Sequence, residues 1–183
     1  MILPIVLYGN PVLRKKCKPI DADYPELNVL LENMWQTMYQ AHGVGLAAPQ
    51  IGLDIRVFIV DTVQTAKEEG EKQERIKKVF INAVMLGQGD EEVDYEEGCL
   101  SIPNIHGDVT RPDEITIRYQ DENFATHEET FSGTNARVIQ HEYDHIEGIL
   151  FTEKLKPLKR VRLAKKLDKI KKGIVDCDYN VKR

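Results

Sequence analysis

The sequence predicts an α+β fold: one domain of mixed and antiparallel strands around a central metal-binding helix, closed by a C-terminal amphipathic helix. Three observations predict it. Helical and strand periodicities are interspersed without regular βαβ alternation. Two histidines stand four residues apart inside one predicted helix. The chain has 183 residues, enough for one domain spanning 1–183 and its own core.

The elements follow in order. Residues 25–41 read as a helix because Leu27, Leu30, Leu31, Met34, Met38 and Ala41 share one face. Pro25 suits its first turn, and Gly43 and Gly45 break it. Residues 55–61 are short and β-branched and read as a strand. Residues 64–78 are nearly all polar and read as an exposed loop. A further strand covers Val79–Met85. Alternation at 114–119 and 126–131, around Asp121-Glu122-Asn123, reads as a hairpin. Residues 134–147 form a second helix, with Thr134 as N-cap and Gly148 as stop. A third helix spans 157–172, where Leu158, Val161, Leu163, Ala164, Leu167 and Ile170 face the core and Lys and Arg face solvent.

Composition excludes several classes. The chain is 42% hydrophobic and 30% charged, ordinary for a soluble globular protein. No apolar run approaches the roughly 18 residues of a membrane span. The three cysteines, Cys17, Cys99 and Cys177, are odd in number and far apart, unlike a secreted disulfide scaffold. The apolar N-terminus lacks a basic leader, so a reducing cytoplasmic location is expected. A net charge of −5 argues against DNA binding. The charge is uneven, with six acids in 90–97 and ten Lys or Arg against one acid in 154–172. The basic stretch keeps a local RNA contact open, beside the plainer reading of a solvated helix face.

Chemistry concentrates in three segments. His141-Glu142-Tyr143-Asp144-His145 puts two imidazoles one helical turn apart, where both can bind one metal. Glu142 points aside and can reach the reacting water without ligating. A catalytic site needs a third ligand. The extended His-x-x-Gly-x-x-His pattern fails, because Phe151 stands where the third His belongs. The helix after it offers only Asp168. Cys99, preceded by Gly98, is the better candidate, since a thiolate is a strong ligand for divalent metal. Cys17 and Cys177 read as small buried hydrophobes or plain free thiols. The third segment, Gly43–Gly52, holds small residues and one strong donor–acceptor side chain, Gln50; by itself it reads as a tight turn beside the core.

Together and in this order, Gly43–Gln50, Glu97–Ser101 and Gln140–His145 resemble the three signatures of the bacterial peptide deformylase family: Gly-φ-Gly-φ-Ala-Ala-x-Gln, Glu-Gly-Cys-φ-Ser and Gln-His-Glu-x-Asp-His, φ being apolar. The resemblance extends to Tyr8–Pro19 and to the basic C-terminal helix. It implies a metal-dependent hydrolase that removes the formyl group from N-formylmethionyl nascent peptides and releases formate. It implies that Cys99, His141 and His145 hold one divalent metal, Fe2+ foremost, with Zn2+, Ni2+ or Co2+ able to replace it. Glu142 would serve as base and then acid. Gln50 and the Leu100 N–H would stabilise the oxyanion, and the Gly45 backbone would pair with substrate. Gly43, Val44, Gly45, Glu97, Val138 and His141 would border the substrate and its methionine pocket.

Departures and alternatives remain. Many relatives carry Arg seven residues after the metal Cys, where this chain has His106; Arg111 is expected to pair with Glu97 instead. The alternatives are a His-Glu-x-x-His metalloprotease and a non-catalytic metal- or ribosome-binding module. Phe151 and the missing acidic ligand disfavour the first; Glu142 disfavours the second, since passive binding needs no base.

Overall fold

The structure, a computed structural model, describes residues 1–65 and 74–183. Nine strands and three helices are formed among these residues. In chain order they are β1 (Ile5–Val6), α1 (Leu27–Gln40), β2 (Gly45–Ala47), β3 (Val57–Asp61), β4 (Lys77–Gln88), β5 (Glu92–Cys99), β6 (Ile102–Pro112), β7 (Glu114–Gln120), β8 (Thr126–Ser132), α2 (Gly133–Ile146), α3 (Pro157–Lys171) and β9 (Val181–Lys182).

A five-stranded antiparallel sheet, ordered β2-β3-β4-β7-β8, carries the molecule. Strand β3 explains its layering. Its run Val57-Phe58-Ile59-Val60 is apolar at every position because both faces of the sheet are covered. Phe58 and Val60 join Phe80, Tyr119, Ala136 and Ile139 in a core beneath α2. Val57 and Ile59 join Leu27, Leu31, Met34 and Met38 beneath α1. Burying each large apolar side chain here contributes ~1.5–3 kcal/mol. A third core lies under the β5–β6 hairpin and joins Ile102, Ile105 and Val109 to Phe151, Leu155, Leu163 and Ile170.

All three helices end in the same device. The residue after the C-cap adopts positive φ, and paired backbone bonds reach back to the last turn. At α1 this residue is His42 (φ 57), bonded to the Tyr39 carbonyl, while Gly43 reaches Met38. The helix therefore turns through His42, not through the glycines. Gly148 (φ 76) ends α2 as expected, and Gly173 (φ 75) ends α3.

Other expectations are corrected. The N-cap position of α2 is Ser132, two residues before Thr134, because Gly133 (φ 56) already turns the chain. Gly45–Ala47 is a strand rather than a bare turn, and a 3-10 turn, Ala48–Ile51, follows it. Helix α3 buries only Leu163 and Ile170 fully; Leu158 and Val161 are 63% and 74% exposed. The core beneath α3 is narrower than its apolar stripe. Of the polar stretch 64–78, residues 66–73 lie outside the described residues, and 77–78 already belong to β4. No helix among the described residues is long and apolar enough to cross a membrane.

Candidate metal centre and active site

Helix α2 runs through the middle of the molecule, with ten of its residues buried, including Glu142 and His145. The i, i+4 spacing brings the His141 and His145 rings to 5.1 Å between centroids. Cys99 ends β5, where the β5–β6 register slips between Gly98 and Cys99. The slip turns the thiol toward α2, and its Sγ lies 3.4 Å from His145 Nε2. Ligand atoms of Cys99, His141 and His145 all lie within 4.8 Å of one another. Phe151 does not ligate; its ring packs 5.9 Å from that of His141.

The donor set fits a divalent cation. One thiol and two imidazoles suit zinc, iron(II), nickel or cobalt. Burial pushes His145 well below its ordinary pKa, leaving it neutral as a ligand must be. Burial also opposes a charge on His141, but hydrogen bonds with Cys99 and Glu97 outweigh it and raise that pKa. The pocket thus draws in positive charge at this point.

Around the ligands, each group is oriented by another. Glu97 accepts from Arg111 at 2.7 and 3.0 Å and from Arg137 at 3.3 Å, and it faces His141 Nδ1 at 3.3 Å. Arg111 also reaches Asp144, three residues after His141, at 2.8 Å. The expected Arg111–Glu97 pair is present, and both side chains are 4% exposed. Burial alone would raise the Glu97 carboxyl, but bonds from His141 and Arg111 prevail and hold it at about 2. Gln50 takes the Ala47 N–H on its Oε1 at 2.8 Å, which turns its NH2 toward Cys99 Sγ and Ser101 Oγ.

Glu142 is different. It is 4% exposed, and its Oε2 has no hydrogen-bond partner among the described residues. Burial pushes its pKa up to about 7. Such a carboxylate can exchange a proton with a substrate or water near neutral pH. Its Oε1 lies where a Cβ on Gly45 would sit 2.5 Å away, so only glycine lets β2 pass this close.

A cleft of about 400 Å³ opens beside these groups. Gly43, Val44, Gly45, Gln50, Glu97, Cys99, Leu100, Val138, His141 and Glu142 all line it; His145 lies behind His141, 1% exposed. The structure therefore gathers every residue singled out from the sequence. Sequence reasoning missed Arg137, whose guanidinium also holds the Val93 and Val109 carbonyls and so ties β5 to β6. Its place four residues before His141, on the ligand face of α2, was the available signal. It also missed the tail Cys177–Tyr179, which forms one wall. Cys177 is accordingly a partly exposed free thiol in the cleft, not a buried hydrophobe.

A buried thiol–bis-imidazole centre with an unpartnered carboxylate beside it, on a helix packed against an antiparallel sheet, defines a metal-dependent hydrolase. The comparisons with known proteins narrow the class. The family model for polypeptide deformylase matches residues 2–161. The peptide deformylases of Christiangramia forsetii and Flavobacterium psychrophilum are each 53% identical over this whole chain, which covers 96% and 97% of their lengths. The solved peptide deformylase from Thermus thermophilus superposes with a TM-score of 0.83 at 38% identity, covering 94% of this chain and 99% of that one. The one from Legionella pneumophila gives 0.80 at 38% identity, covering 94% and 96%. The chain belongs to the peptide deformylase family.

Proposed function

We propose that this chain, as a single catalytic domain, removes the formyl group from N-terminal formylmethionine with the residues gathered in the cleft. One observation carries the reading. The buried Oε2 of Glu142, unpartnered among the described residues, sits beside three converging metal-ligating atoms in a cleft open to substrate.

Cys99, His141 and His145 would hold the metal. A bound divalent cation supplies Lewis acidity, polarising the formyl carbonyl and acidifying a water. Glu142 takes the proton of the attacking water and delivers it to the departing amine. The Gln50 amide and the Leu100 N–H donate to the oxygen that gains charge, each worth ~3 kcal/mol of barrier. Strand β2 is an edge of its sheet, so its outer side is free to pair with an extended peptide at Gly45. Val44, Val138 and the flank of His141, with Gly43 and Glu97 beside them, enclose the methionine side chain.

The finer assignments are proposals too. The resident metal is iron(II), the protein works in the bacterial cytoplasm, and the basic face of α3 docks on ribosomal RNA where formylated chains emerge. Support for docking is the exposure of Leu158 and Val161 beside a dense run of Lys and Arg.

The test is formate release from formyl-Met-Ala-Ser by protein purified without oxygen, with metal measured on the same sample. Turnover with one iron per chain, lost in Cys99→Ala, is the expected result. A fully metallated protein that releases no formate overturns the reading.

A further inference from the structure

We propose that Tyr179, in the tail beyond α3, is a positioning residue for the reaction. Its hydroxyl donates to the Leu100 carbonyl at 2.8 Å and fixes the turn whose N–H faces the developing oxyanion. The inference rests on the reading of Leu100 given above.

After Gly173 the chain doubles back along the cleft. Asn104 Nδ2 holds the Asp176 carbonyl at 2.6 Å. The Asn180 and Lys182 carbonyls accept from Ile5 and Leu7, each at 2.8 Å, as β9 lies parallel to β1. Between these anchors, Cys177, Asp178 and Tyr179 line the cleft. The tail is therefore seated at both ends, and Tyr179 meets the turn from a fixed position.

That turn is short. Cys99 pairs with Ile102, leaving Leu100 and Ser101 to connect β5 to β6. One end carries a metal-ligating thiol, and the Ser101 carbonyl is held by the Tyr8 N–H at 2.8 Å. The Leu100 carbonyl is the remaining free handle, and Tyr179 takes it. Leu100 carries the donating N–H on one side of its Cα and this carbonyl on the other, so holding the carbonyl restrains the Leu100 backbone between Tyr179 and Cys99. A phenol, protonated at neutral pH, favours the orientation that offers it a carbonyl. Oxyanion donors act only when held close to the productive geometry, so a Leu100 backbone left loose on its carbonyl side aims its N–H poorly.

Tyr179→Phe keeps the ring and both tail anchors and removes only the hydroxyl. The expected result is a kcat lowered roughly tenfold, with KM for formyl-Met-Ala-Ser, metal content and Tm unchanged. In the zinc-loaded protein, the backbone order parameter at Leu100 should fall. An unchanged kcat overturns the proposal. So does a kcat loss matched by loss of metal or of Tm, which would make Tyr179 a plain tail anchor. An amide-to-ester replacement at Leu100 separates the two readings. If the ester slows turnover and Tyr179→Phe does not, only the Tyr179 inference fails. If the ester has no effect, the Leu100 donor fails and the inference with it.

Discussion

Removing the Arg111 guanidinium leaves Glu97 and Asp144 facing a low-dielectric interior without their shared counter-charge. Breaking a buried pair this way typically costs ~3–5 kcal/mol. Arg111→Ala should therefore lower Tm by several degrees. It should also weaken metal binding about 10–100-fold, because Glu97 orients His141; metal titration and thermal melts would show both. Glu142→Gln should keep its metal and lose ~10²–10⁴ of kcat. The acid limb of the pH–rate profile should fall between the ordinary 4.5 and about 7, since burial raises Glu142 and a bound cation opposes that rise. Stability follows the opposite signs of the two carboxyls. The lowered Glu97 stabilises the fold above pH 4.5 and loses that contribution as pH falls toward about 2. The raised Glu142 stabilises below pH 4.5 and loses that contribution as pH rises through about 7. Denaturant melts across pH on metal-free protein would trace both. The two histidines and Glu142 were legible in the sequence because helical spacing places i and i+4 together, whereas Cys99 was legible only through its Gly98-Cys99 setting and the family signature around it. Arg137 showed only its place on the ligand face; what it holds, like what Tyr179 holds, depends on contacts to distant segments, β5 and the Leu100 turn, that no local pattern encodes.

Among the elements, β2 is the one that tolerates least. A Cβ at Gly45 would meet Glu142 Oε1 at 2.5 Å and Cδ at 2.8 Å. Gly45→Ala should cut formate release by more than tenfold while Tm moves little, because the clash falls on the Glu142 carboxylate, the proposed base, and not on the sheet pairing. Helix α3 offers the opposite case. Reversing Lys159, Lys165 and Lys166, all exposed, should leave activity on free peptides unchanged and reduce ribosome co-sedimentation, most visibly at low salt. Removing the whole helix is a poorer test, since Leu163 and Ile170 belong to the core. The long elements were readable from periodicity. The β5–β6 hairpin was not, although β6 alternates strictly from Ile105 through Gly107 and Val109 to Arg111. Its inward series ends in a buried arginine, and β5 is a run of acids exposed at most positions, so the pair reads as charge rather than strand.

At the scale of the whole molecule, a metal held by Cys99, His141 and His145 would join parts that the sequence keeps apart: the β5 end and helix α2. A cation held at a hundred times its Kd adds about 2.7 kcal/mol to folding stability. Chelation should lower Tm, and Cys99→Ala should remove that response. The fold class was legible because mixed periodicities and one hairpin already exclude a parallel sheet. The joining of the two chain ends was hidden, because β1 and β9 are two residues each, too short for any periodic signal. That joining bears on how the protein is made. Ile5 and Val6 find their partners at Val181 and Lys182, so this closure is the most sequence-distant pairing in the fold. Contacts of such separation are slow to form. During synthesis β1 must wait until β9 has emerged, and Tyr179, two residues before β9, reaches the Leu100 turn no earlier than residues 174–179 do. A nascent copy that stops short of residue 179 thus holds Cys99, His141 and His145 before anything holds the Leu100 carbonyl.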